Sequence, residues 1–130
     1  MIELLSGRIA PVSAPPLAPI ERPIDLEHLS RMTLGDRSLE REVLQLFERQ
    51  ATMMLTRMEE GPAAAAAAAA HTLMGSARGI GAWSLAKAAE RVEAVALAGA
   101  QIAPALAELK SALAEVRIVI ADLLRAHALI

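Results

Sequence analysis

The chain has 130 residues, enough for one domain with a real core and too few for two. Apolar residues make up 55% of it, yet it holds one Trp, one Phe and no Tyr, so the core must be built from Ala, Leu, Ile, Val and Met, a mixture that favours helices. Thirteen basic against fifteen acidic residues leave a net charge of -2, which excludes a general field for nucleic acid or anionic lipid, and the lack of cysteine excludes disulfides and thiolate metal sites.

The first eight residues, Met1 to Arg8, carry Glu3 where a signal peptide wants basic residues and lack a long apolar run, so the chain is read as cytoplasmic. Residues 1–23 hold five of the seven prolines (Pro11, Pro15, Pro16, Pro19, Pro23), which forbids a regular helix or interior strand. A flexible extended arm is expected there, able to lay Ile9, Val12, Leu17 or Ile20 against the domain that follows over residues 24–130. Asp25 can cap a short helix over Leu26 to Leu34, with Leu26, Leu29 and Met32 as its apolar side, His28 on its surface and Gly35 as its stop.

Asp36 then caps a longer helix to about Glu60, whose inner stripe is Leu39, Val43, Leu46, Phe47, Met54 and Met58, with Met53 as core-edge filler. Gly61 ends that helix and Pro62 opens the next. The alanines from Ala63 to Ala70 have the highest helix propensity and lead into a periodic segment, so they are read as helix. The charge-free run from Gly61 to Ala77 is shorter than the roughly 20 apolar residues of a membrane span.

Gly79 and Gly81 finish this helix, and Trp83 is expected to pack across the junction. Ser84 is a plausible cap for another helix to about Ala98, with Leu85, Ala89, Val92 and Ala96 inward, Arg91, Glu90 and Glu93 forming a solvated face, and Gly99 closing it. Pro104 starts the last helix, in which Leu106, Leu109, Leu113, Val116, Ile120 and Leu123 form the most regular seam of the chain and His127 complements the final helix end. Four long helices with short connections predict an all-α fold, an up-down-up-down four-helix bundle with the short N-terminal helix at one end.

The segment Ala70-His71-Thr72-Leu73-Met74-Gly75-Ser76-Ala77-Arg78-Gly79-Ile80-Gly81-Ala82 is sharply two-sided. At roughly 100° per residue, Ala66, Ala70, Leu73, Ala77 and Ile80 share one stripe, and His71, Gly75 and Arg78 fall on the opposite side. His71 should therefore point at water. Ala64, Ala67 and Ala68 lie on its side toward the helix start and Gly75 sits one turn beyond, so nothing bulky on this helix shields the ring. A Gly inside a helix costs about 1 kcal/mol relative to Ala, a loss easiest to understand if another molecule must approach His71 closely. Arg78, two turns on, can place a guanidinium near an anion held at the ring.

These residues resemble the phosphorylation motif of histidine-containing phosphotransfer (HPt) domains, a helix carrying His-x-Leu-Lys-Gly-Ser followed by small residues and Gly-Ala. Here the motif stands as His71-Thr72-Leu73-Met74-Gly75-Ser76 and then Ala77 to Ala82, with Met74 in place of the lysine. By length and helix spacing the likeness extends over roughly residues 24 to 129. The resemblance implies one phosphohistidine at His71, attacked through Nε2, formed and discharged by receiver domains of response regulators, with a hybrid histidine kinase as a further partner. It also implies that Gly75, Arg78, Met74, Ala67 and Ala68 support phosphate or partner, and that any Mg²⁺ sits on the receiver.

Imidazole attacks a phosphoryl group without a separate base, and phosphoryl transfer asks the protein mainly for positioning and charge neutralisation. No Walker-type loop is present, Gly79-x-Gly81 reads as a helix terminator, and the chain lacks the length of an ATP-binding kinase domain, so a phosphoryl carrier that is not itself an enzyme is expected. No His-x3-His or similar pair suggests a metal site, and no cofactor is expected. Two alternatives stand beside this reading. One is an HPt-like adaptor that no longer carries phosphate, suggested by Met74; the other is a dimerising module of the histidine-kinase type, ranked below a monomer because one chain supplies enough inward stripes to close a bundle.

Overall fold

The computed structural model describes residues 22–128, with side chains described to Ala126. The expectations for residues 1–21 and for the His127 side chain lie outside the described residues. Among these the chain is entirely helical: α1 (Leu26–Met32), α2 (Arg37–Glu60), α3 (Ala63–Ile80), α4 (Trp83–Leu97) and α5 (Ala103–Ala128). Each of α2 to α5 packs on the next, α5 also meets α2, and α1 lies against α3. None of the helices is long and apolar enough to cross a membrane.

Local chemistry sets the boundaries. Asp25 and Asp36 accept from the third backbone N–H beyond them and so cap α1 and α2. Pro62 sits at the N-cap of α3, where its missing N–H costs no helix hydrogen bond. The cap of α4 is Ala82, with no side-chain bond, so Ser84, expected as the cap, lies inside the first turn. Gly35, Gly81 and Gly99 follow α1, α3 and α4 with left-handed φ.

The core confirms most of the expected stripes. Ala66, Ala70, Leu73, Ala77 and Ile80 of α3, Leu85, Ala89, Val92 and Ala96 of α4, and Leu106 through Ile120 of the α5 seam are buried, with Leu123 only partly so. In α2 the face is rotated. Leu44 and Ala51 are buried with Phe47, Met54 and Met58, whereas Leu39 and Leu46 of the expected inner stripe are exposed, as is Met53. Arg117 of α5 donates to Glu48 (Nε to Oε2, 2.9 Å) and to Thr52 Oγ1 (3.0 Å) on the flank of α2 that meets α5.

A junction at the end of α3 fixes α1. The Asp25 N–H donates to the Gly81 carbonyl at 2.8 Å, and a Cβ on Gly81 would lie 2.9 Å from the Asp25 oxygen, so this glycine is required by its φ of 80° and by the contact together. The Trp83 indole N–H donates to Asp25 Oδ2 at 3.1 Å, and the His28 ring stands edge-on to Trp83 at 4.9 Å. Trp83 thus packs across the junction as expected. His28, read as a surface residue, is instead half-buried with Nε2 enclosed and unpartnered among the described residues. The His28 backbone N–H, and after it the Trp83 indole, hold the Asp25 carboxyl below its ordinary value of 3.8, while burial works the other way.

Candidate functional site

His71 projects from the middle of α3 with 65% of its side chain exposed. An alanine run needs no side-chain entropy to form helix, so α3 reaches this ring without placing a bulky group beside it. Ala64, Ala68, Gly75, Arg78 and Gly79 are all exposed on α3, and a Cβ at Gly75 or Gly79 would meet nothing within 4 Å. The imidazole stands above a bare strip of helix.

On its α4 side the ring is held. Nδ1 lies 3.2 Å and 3.1 Å from the two carboxylate oxygens of Glu93, whose side chain is only 24% exposed. A carboxylate can only accept, so the ring nitrogen facing it carries the hydrogen, and Nε2 is left with its lone pair. No second partner of the ring occurs among the described residues. The sequence expectation puts Glu93 on a solvated face with Glu90 and Arg91. Arg91 does pair at the surface, with Glu108 at 3.2 Å, but Glu93 turns toward α3. Its position one turn after the buried Ala89 marks it as bordering the inner stripe of α4; that its neighbour there is His71 needs the helix packing.

Two residues expected beside the phosphate lie elsewhere. Ala67 and Met74 are 5% and 9% exposed and belong to the core. Positions 67 and 74 are turned from His71 by about 40° and 60° to the same side, which faces into the packing, so the Met74 thioether fills space there instead of lining the open strip. Ala68, Gly75 and Arg78 remain on the exposed side. Arg78 makes no ion pair among the described residues and starts about 10 Å along the axis from His71.

On the α2 side, Ser76 Oγ donates to Gln50 Oε1 at 2.6 Å and ties the two helices together. Beside this bond runs a groove of about 230 Å³ lined by Leu29, Met32, Thr33, Val43, Leu46, Phe47, Gln50, Ser76, Gly79 and Ile80. No group of three His, Asp or Glu residues able to hold a metal ion occurs among the described residues.

Comparison with the curated proteins and with the solved structures gave no match. A family model described as "Hpt domain" matches residues 42–125, from the first turns of α2 to the last turns of α5, and so spans more than half of the chain and the whole of the His71 site. The chain belongs to the Hpt domain family.

Proposed function

We propose that His71 accepts a phosphoryl group from the aspartyl phosphate of a response-regulator receiver domain and passes it to another. Hpt domains are phosphotransfer modules of phosphorelay signalling that act as carriers without a kinase domain, so membership of the family supplies the reaction class. The observation that carries the residue assignment is the ring itself, exposed on a strip of Ala and Gly, with Nδ1 on Glu93 and Nε2 unpartnered.

In the transfer the Nε2 lone pair forms the bond to phosphorus as the bond from phosphorus to the aspartate oxygen breaks, and the electron pair leaves with that carboxylate. Nδ1 keeps its proton throughout. The positive charge that develops on the ring faces the Glu93 carboxylate, which orients and stabilises it as the buried acid of a Ser-His-Asp triad does for its imidazole. Return of the phosphoryl group to a second receiver reverses these steps, with Mg²⁺ held by the receiver. The up-down-up-down order expected of a monomeric bundle suits this task, because it sets α3 rigidly between α2 and α4; the connections of a few residues support it.

Incubation with a phosphorylated receiver, followed by an assay for acid-labile phosphate on wild type and on His71→Gln, tests the assignment. Label on the wild type and none on a folded His71→Gln supports it. Equal label on both moves the acceptor elsewhere, and no label on either leaves the adaptor reading.

A further inference from the structure

The α2 helix carries two apolar stripes, and the bundle uses one of them. Leu44, Phe47, Ala51, Met54 and Met58 are buried, whereas Leu39, Leu46 and Met53 are 38%, 56% and 51% exposed. These three recur at every seventh residue, within about 20° of one line on the helix, and run about 21 Å along it. Met32 of α1, also exposed, lines one groove with Leu46 and widens the apolar surface at that point. An exposed apolar strip rimmed by polar side chains marks contact with another molecule.

The charges beside the strip say which molecule. Glu42 and Arg49 lie on the same edge of it, turned about 40° and 60° from Leu46. Both are exposed, and neither forms an ion pair among the described residues. Neither has a charged residue three or four positions away on α2, so the helix itself gives them no counter-charge. The other edge, at Val43 and Gln50, is uncharged.

A two-fold axis at Leu46 sets the α2 helices of two copies antiparallel and brings like edges together. Leu46 then meets Leu46 of the second copy, and Leu39 meets Met53 of the second copy. Arg49 comes within about 1.5 Å, measured along the axis, of Glu42 of the second copy, and symmetry makes that pair twice. Parallel helices would set the charged edge against the uncharged one. The strip is therefore complementary to itself in the antiparallel orientation.

We propose that this chain forms a homodimer through the exposed strip of α2, packed antiparallel about Leu46 and flanked by two pairs of Glu42 with Arg49. Each bundle stays closed within its own chain, and the interface does not rest on the reading of His71. Sedimentation of the full chain over a concentration series tests it against the chain mass of 13.7 kDa. The expected result is a concentration-dependent rise toward twice that mass. Leu46→Glu should hold the protein at the single-chain mass with its helix content unchanged, because Leu46 is exposed. Glu42→Arg and Arg49→Glu should each weaken dimerisation by about tenfold, since symmetry repeats every change. The double variant Glu42→Arg/Arg49→Glu keeps the pair with its signs exchanged and should return to wild-type affinity. A wild type that stays at the single-chain mass up to millimolar concentration overturns the proposal. So does a dimer indifferent to Leu46→Glu, which places the contact on another face. Weakening by both single reversals without rescue in the double variant overturns the antiparallel pairing.

Discussion

His71 and Glu93 stand 22 residues apart in sequence on adjacent helices, and Nδ1 of one lies 3.1 Å from a carboxylate oxygen of the other. This single contact leaves Nε2 as the ring nitrogen without a partner among the described residues. It also puts a carboxylate beside the ring nitrogen that keeps its proton in the proposed transfer.

Glu93→Ala should slow phosphate acceptance by about 10- to 100-fold, the loss of a hydrogen bond to a charged group worth about 1.5–3 kcal/mol. Glu93→Gln should fall between, because the amide oxygen still accepts from Nδ1 but carries no charge. Melting temperatures should hardly move, since a pair with a largely exposed ring adds little to stability. Single-turnover transfer from a phosphorylated receiver, with thermal melts alongside, checks both; equal rates for the three proteins would remove Glu93 from the mechanism.

Gly75 separates stability from access. A Cβ there meets nothing, so Gly75→Ala should stabilise the fold by up to about 1 kcal/mol and leave transfer unchanged. Gly75→Leu should keep most of that gain and slow transfer, because a branched side chain then stands one turn from the ring. Undiminished transfer by the Leu variant would show that partners do not approach over this strip.

Arg78 and Met74 should behave oppositely. Arg78→Ala, on the exposed side, should slow transfer or shorten the phosphohistidine lifetime by a factor equivalent to roughly 1 kcal/mol, with no change in melting. Met74 is buried, so Met74→Ala should cost about 2 kcal/mol or more of stability while leaving transfer per folded molecule unchanged. Because Met74 is buried, a lysine introduced there would have to lift its stem out of the core before its ammonium could reach the open strip. Urea titrations paired with transfer kinetics distinguish the two roles.

The Asp25 carboxyl, lowered chiefly by the His28 N–H and then by the Trp83 indole, links the α1 junction to pH. A group whose folded value lies below its unfolded 3.8 stabilises the fold above 3.8 and loses that contribution as pH falls through the folded value. Asp25→Asn removes the charge and keeps one acceptor oxygen, putting an amide NH2 where the other oxygen accepts from His28 or Trp83. The melting-temperature gap between wild type and Asp25→Asn should thus be constant near neutrality and close in the acid range below 3.8. A gap independent of pH would show that the charge contributes nothing to the junction.

Much of this protein is legible in its sequence because the signals are local. Caps at Asp25 and Asp36, the Gly61-Pro62 break and the glycines after α1, α3 and α4 act within one or two turns, and they place the helix boundaries to within a residue or two. The inner faces of α3, α4 and α5 follow from one dominant apolar stripe on each helix, and the exposure of His71 follows from the stripe opposite it. In α2 two apolar stripes coexist, Leu39-Leu46-Met53 and Leu44-Phe47-Ala51-Met54-Met58, and periodicity alone does not rank them. The packing of α2 on α3 and α5 decides, burying Leu44 and Ala51 with Phe47, Met54 and Met58 and leaving Leu39, Leu46 and Met53 exposed. Glu93 and His28 depart from the sequence expectation for the same reason: each borders a buried stripe, and whether such a residue meets water, a ring or a core depends on the neighbouring helix. Local propensity thus determined the elements and the face bearing His71, while the side-by-side packing of α3 on α4 and of α1 on the α3 end decided which nitrogen of that histidine is held and which groove lies beside it.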